Sequence, residues 1–174
     1  LDPVRRTQAW TDHSGAVRSV AWSADGLRVA TAGDDAVVRV RGVSEGAEAF
    51  SFPRHPEKLR SLIFCLDGRQ LASVGTDRVV RRWDTVTRRE LPERRNRQAG
   101  LLHLLDTPQG LLMVSQGADR HVWIERLDGQ GGVTRLGGEN LPGLRSARLT
   151  ADGRRLLGAG DRTLFIWDVQ TRLL

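Results

Sequence analysis

Short runs of alternating apolar and polar residues, each bounded by turn residues, fill this chain from end to end. Val17 to Trp22 predicts a strand. Asp25-Gly26 predicts a hairpin turn, because Asp-Gly tolerates the positive φ of tight two-residue connections, and Leu27 to Ala32 predicts a second strand. Val37 to Arg41 predicts a third. Its alternation is clearest at Val38/Val40, Val122/Ile124 and Leu164/Ile166, which sets two apolar side chains on one face of the pleat. Val80 followed by Arg82 breaks that pattern in one unit. A fourth, outer strand is expected near Ala47 to Phe52, Arg88 to Leu91 and Val133 to Leu136, where greater solvation blurs the alternation.

The runs repeat. Asp35, Asp77, Asp119 and Asp161 fall 42 residues apart. Asp25-Gly26, Asp67-Gly68 and Gln109-Gly110 keep the same spacing, and Asp152-Gly153 follows after one extra residue. Gly33, Gly75, Gly117 and Gly160 come seven residues beyond those glycines. A period of about 40–45 residues is that of a four-stranded propeller blade.

Trp83-Asp84 and Trp167-Asp168 close the third strand of two units, His13 and His55 open two units, and Ser23-Ala24-Asp25-Gly26 is followed by Ala30-Thr31-Ala32-Gly33. In these motifs the chain resembles the WD40 repeat family over nearly its whole length. Arg41-Gly42 and Glu125-Arg126 replace Trp-Asp in units one and three, Arg97 replaces the opening His in unit three, and unit four lacks that His and has Gly158 in place of a hydroxyl. The expected fold is all-β, a WD40-like propeller segment of about four consecutive four-stranded antiparallel blades. Residues 1–12 are read as the tail of a preceding blade, with blades at 13–54, 55–96, 97–139 and 140–174, the last incomplete. Leu1-Asp2 matches Trp83-Asp84 in position and Thr171 to Leu174 falls in an outer strand, so the chain is expected to start and stop within blades. The resemblance implies a ring of more blades, closed by further repeats or by a second copy as four plus four.

One repeat array accounts for the length without a second domain. Gly129 to Gly138 reads as a loop around the third outer strand. The single Cys65 rules out an internal disulfide framework, and no stretch approaches the roughly 20 apolar residues that span a bilayer, so a soluble, cytoplasmic protein is expected. The net charge is +6 and all but one of the 27 Lys and Arg residues are Arg, the exception being Lys58. That skew fits a need for bidentate pairing with carboxylate or phosphate, and equally a compositional bias of the source genome.

His55, Ser73 and Asp77 offer a base, a nucleophile and an orienting carboxylate. The resemblance implies another role: in WD40 blades the equivalent His, Ser/Thr, Asp and Trp form a structural hydrogen-bond tetrad, here His55, Ser73, Asp77 and Trp83, with His13, Thr31 and Asp35 in unit one. Such a set copied into successive blades argues for scaffolding, and no oxyanion-hole signature accompanies it. His13, His55, His103 and His121 lie in different units without Cys partners at ligand spacing, so no metal site is expected. Gly129-Gln130-Gly131-Gly132 lacks the Lys-Ser/Thr of a phosphate loop, and no cofactor or small-molecule substrate is expected. Trp10, Trp22 and Trp123 are read as blade packing, and Cys65 as a residue flanking a turn.

Arg18, Arg60 and Arg145 occupy one slot in units one, two and four, with Leu102 in unit three. The resemblance places that slot on the rim around the central channel, with Lys58, and with Asp34, Thr76 and Ala118 just before the repeated Asp. Converging guanidinium groups suit an acidic or phosphorylated peptide, and a solvated rim without a ligand fits the same residues. A second cluster, Arg88, Arg89, Arg94, Arg95 and Arg97, lacks the interleaved aromatics of a single-strand binder but leaves duplex phosphate contact open. The expected function is a non-catalytic scaffold for protein–protein contact. The alternatives are a nucleic-acid-binding basic surface, the regulatory propeller of a larger multidomain enzyme, and a hydrolase built on His55 and Ser73.

Overall fold

Alternation with period 2 gives each strand one face for a neighbouring sheet, and the 42-residue repeat supplies that neighbour. The structure, a computed structural model, describes residues 9–44, 47–53, 55–65, 68–95, 102–107, 110–117, 120–127, 132–136, 141, 143–150 and 152–169, without the side chains of 93–95 and 102. Strands β1 (Val17–Trp22), β2 (Arg28–Gly33), β3 (Val38–Gly42) and β4 (Ala49–Ser51) form the first blade. The second is β5 (Leu59–Cys65), β6 (Gln70–Gly75), β7 (Val79–Asp84) and β8 (Glu90–Arg95). β9 (Leu102–Thr107), β10 (Gly110–Gln116), β11 (Val122–Arg126) and β12 (Val133–Leu136) make the third, and β13 (Ser146–Leu149), β14 (Arg155–Ala159) and β15 (Leu164–Asp168) the fourth. Each blade is an antiparallel meander, and no helix occurs among the described residues. Thr171 to Leu174 and Leu1-Asp2 lie outside the described residues, as do 129–131 and 137–138 of the segment Gly129 to Gly138.

The inner strands follow one another around a centre, β1 against β5, β5 against β9 and β9 against β13. The core is divided accordingly. Val38, Val40 and Phe52 meet Leu59, Leu62, Leu71 and Trp83 between blades one and two. Ala72, Val74 and Val80 meet Leu104 and Met113 between two and three, and Val122, Ile124 and Leu136 meet Ala147, Leu156 and Trp167 between three and four. The two terminal faces differ. Val20 and Trp22 of β1 are 62% and 61% exposed, and Leu164 and Ile166 of β15 are 70% and 58% exposed. Trp22 is therefore not packed between blades as the sequence suggested, because no sheet among the described residues covers its side. Trp10, also exposed, lies outside any strand beneath the Arg41 guanidinium.

Two sequence expectations need correction. Asp25-Gly26 is not a two-residue hairpin turn: the last β1–β2 pair is Trp22 with Val29, and the connection is a longer loop closed by Gly26 N–H to Ser23 O and Leu27 N–H to Asp25 Oδ1, both 2.9 Å. Only the glycine is left-handed, and Gly26 (φ 69°), Gly68 (80°), Gly110 (114°) and Gly153 (69°) repeat that feature in every unit. Two outer strands are also displaced. β4 is only Ala49–Ser51, and β8 begins at Glu90 because Arg88 turns left-handed at φ 58°.

Arg18 and Arg60 both stand at bulges, where the register slips between Val17 and Ser19 and between Leu59 and Ser61. A Cβ on Gly75, opposite the second bulge, would come 2.8 Å from the Lys58 carbonyl oxygen, and one on Gly33 would strike the Ala16 carbonyl. The bulge bends the inner strand, re-aims the arginine and turns the next residue toward the following blade. Ser19 Oγ accepts from Leu62 N–H at 3.1 Å, and Ser61 Oγ from Leu104 N–H at 3.3 Å.

Candidate functional site

The repeated Asp first closes the turn between its second and third strands. Asp35 Oδ1 accepts from Val37 N–H at 3.3 Å and Asp77 Oδ1 from Val79 N–H at 3.2 Å, which fixes each carboxylate at the blade edge. In blade two, Arg81 Nη1 donates to Asp77 Oδ2 at 2.6 Å and to His55 Nδ1 at 3.0 Å. A guanidinium has only donors, so Nδ1 accepts and the neutral ring carries its proton on Nε2. That Nε2–H donates to Ser73 Oγ at 2.7 Å. His55 and Ser73 are both buried, and Asp77 is 4.0 Å from Nδ1. The polarity is the reverse of a catalytic triad, in which Nε2 accepts from the hydroxyl and Nδ1–H faces the acid. Burial, then Arg81, pushes the imidazole down to about 4, with Asp77 opposing.

Blade one assembles the same residue types differently. His13 Nε2 lies 2.8 Å from Thr31 Oγ1, while Nδ1 lies 3.0 and 3.1 Å from the two Asp35 oxygens and 2.9 Å from Arg39 Nη1. Arg39 also donates to Asp35 Oδ2 at 2.8 Å and pairs with Asp12 at 3.0 Å. Burial opposes the charge on Asp35, but hydrogen bonds from His13, Val37 N–H and Arg39 outweigh it and hold the carboxyl below the ordinary range.

Trp83 does not complete the hydrogen-bond set as the resemblance implied. Its ring is fully buried, stacked on Phe52 at 5.0 Å and tilted toward His55 at 5.5 Å, and its Nε1 has no hydrogen-bond partner among the described residues. The indole packs and Arg81 makes the bonds. Arg39 and Arg81 each follow the repeated Asp by four residues and lie 42 apart, so the repeat itself carried the signal. Trp123 stands in their place in unit three, with Nε1 also unpartnered among the described residues. Asp119 and Arg97 lie outside those residues.

At the rim the arginines separate into two kinds. Arg18 pairs bidentately with Asp34, Nε at 3.0 Å and Nη2 at 2.6 Å, and this contact comes first among the causes that hold Asp34 below the usual carboxylate range. Arg145 pairs with Asp161. Sixteen residues after Arg60 stands Thr76, whose hydroxyl donates to Glu57 at 2.6 Å, so exposed Arg60 has no carboxylate partner among the described residues. Lys58 is exposed beside it, and the charges of both act on Asp34. Leu102 is placed by its backbone in β9, and Ala118 lies outside the described residues.

Arg18 and Arg60 open onto a central cavity of about 490 Å³ walled by the inner strands of all four blades. Among its other lining residues are the ionisable His103, Asp106 and Arg148, to which the sequence reading gave no place at the rim. Arg148 replaces the apolar Ala21, Ile63 and Leu105 of the other units, an interruption visible in the repeat. Of the outer cluster, Arg88 pairs with Glu48 and lies 4.5 Å over the Phe50 ring, tying blade two to blade one. Arg97 and the side chains of Arg94 and Arg95 lie outside the described set. Cys65 is buried between blades, its thiol pushed up to about 12 by burial first and by Asp106 next.

The family model described as WD domain, G-beta repeat, matches residues 4–41 and 46–84. No curated protein sequence matches the chain. Among solved structures, a chain of "Crystal Structure of Mitotic Checkpoint Complex" is 23% identical with a TM-score of 0.72, the match covering 90% of this chain and 50% of that one. The present chain thus spans half the length of that relative. At this identity the likeness carries the fold alone.

Proposed function

We propose that this chain, which carries WD40 repeats on a β-propeller, is a non-catalytic platform for polypeptide partners and takes an acidic or phosphorylated segment at its arginine-bearing rim. WD40 propellers generally serve as protein-interaction scaffolds rather than catalysts, and the similar structure's title describes a complex. Fold alone does not assign a role, so the reading rests on the site. Its strongest support is Arg60, projected by a bulge, exposed beside Lys58 and without an ion pair among the described residues. The reversed polarity of His55 and Ser73 favours scaffolding over hydrolysis.

Display selection of peptides on the purified chain tests the reading. Selected peptides are expected to be acidic and to lose roughly tenfold in affinity with Lys58→Glu and Arg60→Glu, about the value of one charge-assisted hydrogen bond. Peptides without acidic bias, or ones indifferent to both changes, contradict it. Binding to random duplex that weakens steeply with salt would move the assignment to nucleic acid.

A second reading concerns the bare faces. Leu164 and Ile166 occupy the positions of Val38 and Val40, and Val20 and Trp22 those of Leu62 and Phe64, so one terminal face matches the other as adjacent blades match. A second copy placed head to tail reproduces an interblade contact. Light scattering on the wild type and on Ile166→Glu tests this: a higher mass abolished by the substitution supports it, and a stable monomer contradicts it.

A further inference from the structure

The grooves between blades repeat their frame but not their filling. Between blades one and two, Arg28 Nη2 donates to Gly68 O at 3.1 Å with its guanidinium 5.6 Å over the Phe64 ring, and Thr85 Oγ1 donates to the same carbonyl at 2.8 Å. Phe50, beneath Arg88, fills the outer part. Between blades three and four the repeat puts Leu112 at the place of Arg28, Val169 at that of Thr85, Thr134 at that of Phe50 and Gly132 at that of Glu48. The pairing agrees: Leu112 lies opposite Arg126 as Arg28 lies opposite Gly42, and Thr134 opposite Ile124 as Phe50 opposite Val40. Each replacement is smaller or apolar, and a cavity of about 460 Å³ opens among Leu112, Ile124, Thr134, Gly153, Arg154 and Val169. That is within the roughly 300–1,000 Å³ of small-ligand sites. A Cβ on Gly132, in the same wall, would meet nothing within 4 Å.

The carbonyl of the turn glycine supplies a second observation. Gly68 O accepts from Arg28 and Thr85, and Gly110 O accepts from Thr107 Oγ1 at 2.8 Å. Gly153 is left-handed like both, but its carbonyl accepts no hydrogen bond from the described residues. Arg28 and Thr85 reach Gly68 O from the positions that Leu112 and Val169 hold here, and both of these stand in the cavity wall, so the unmatched carbonyl looks into the cavity.

Charge narrows the occupant. Asp152 is committed to its own turn, where Oδ1 accepts from Thr150 Oγ1 and from Arg154 N–H at 3.0 Å. The Arg154 side chain makes no ion pair among the described residues, and Arg126 adds a second guanidinium to the lining. A further cation, the filling used in the first groove, is repelled here, whereas the face of an aromatic ring is attracted. We propose that the groove between blades three and four binds a neutral aromatic ring carrying one hydrogen-bond donor, of the indole class, with the ring on Leu112, Ile124 and Val169 and its N–H on the Gly153 carbonyl. A phenyl ring lacks the donor, and an aliphatic group lacks the π face. The site shares no lining residue with the central cavity and stands apart from the rim reading.

The test follows the methyl signals of Leu112, Ile124 and Val169 in the whole chain during titration with indole. They are expected to shift together and saturate, and N-methylindole, the same ring without its donor, should bind about three- to tenfold more weakly. Leu112→Arg and Thr134→Phe copy the filling of the first groove, so each should close the site while the thermal midpoint holds or rises. Thr134→Phe, on an outer strand, decides the matter should Leu112→Arg fail to fold. Arg154→Gln should weaken binding about two- to fivefold by removing a cation from the ring face. A glycine–serine peptide with one tryptophan that displaces indole assigns the ring to a polypeptide, and indole that this peptide cannot displace assigns it to a free aromatic compound. Either supports the site. Shifts that never saturate, equal affinity for N-methylindole, or binding that survives a folded Thr134→Phe overturn it. Acidic-peptide capture at Arg60 should be the same in wild type and Thr134→Phe, so loss of either site leaves the other standing.

Discussion

Blades one and two present His, Asp and Arg to the same turn, with Thr31 in one and Ser73 in the other, and arrive at different electrostatics. In blade one the imidazole lies against the carboxylate, His13 Nδ1 to Asp35 at 3.0 Å. In blade two the guanidinium of Arg81 bridges the two, and His55 stands 4.0 Å from Asp77. The two rings differ in burial as well. The His55 side chain is wholly enclosed between two neighbouring blades, whereas His13 belongs to the end of the array and keeps 9% exposure. The carboxylates run the other way, Asp35 being 3% and Asp77 12% exposed, and Arg39 has a second carboxylate in Asp12, so position in the array and the neighbouring residues together separate the two clusters.

Truncating each histidine sharpens the contrast most. His55→Ala should cost about 3 kcal/mol, because it leaves a cavity and unpairs Ser73 and one arm of Arg81 inside the core. His13→Ala should cost about 1 kcal/mol, since Arg39 and the Ser14 and Val37 N–H groups still satisfy Asp35. Thermal melts of the two variants check the ratio, and equal losses would erase the distinction.

Acid separates the clusters next. The His55 pKa falls from an unfolded value near 6.5 to about 4 in the native state. The unfolded chain therefore takes up a proton that the native one refuses, and stability present above pH 6.5 is lost as pH falls toward 4, on the order of 3 kcal/mol at the limit. Asp35 acts in a lower window: its native pKa is depressed, so its contribution is present above the ordinary carboxylate pKa and is lost as pH falls below it. Denaturant midpoints across pH should show two steps, the upper one absent from a His55→Gln variant.

Arg81→Met is a smaller perturbation, about 2 kcal/mol from loss of a charged donor to two acceptors. It also removes a cation that depresses the His55 pKa, so that pKa should rise by NMR titration. The smallest effect is backbone relief. Ala36 and Arg78 hold φ near 60° without being glycine, and Ala36→Gly or Arg78→Gly should stabilise by less than about 1 kcal/mol, equally in both blades.

Much of this architecture was legible in the chain. β1 spans the predicted Val17 to Trp22, and β3 and β12 follow their alternation to within a residue or less. The repeat fixed which residues share a slot, but not what the slot faces. The repeat sets Arg39 and Arg81 four residues after Asp35 and Asp77, but their pairing arises only once the turn is closed. The bulges at Arg18 and Arg60 leave no mark in period-2 alternation, since one extra residue is visible only as a slip in pairing. The difference between a paired Arg18 and an unpaired Arg60 lay in the open, as Asp34 against Thr76 sixteen residues on, yet becomes meaningful only when the bulge brings those positions together. The exposure of Trp22 was hidden for another reason: its environment depends on a neighbour that its own sequence does not specify.

The account turns on the polarity of the enclosed cluster, and long-range ¹H–¹⁵N correlation of the histidine side chains measures it directly. From pH 8 to 5, His55 is predicted to remain neutral with its proton on Nε2, toward Ser73, and a bare Nδ1 facing Arg81. A proton on Nδ1 with Nε2 accepting from Ser73 would be the arrangement of a general base, and would contradict the structural role assigned to this cluster.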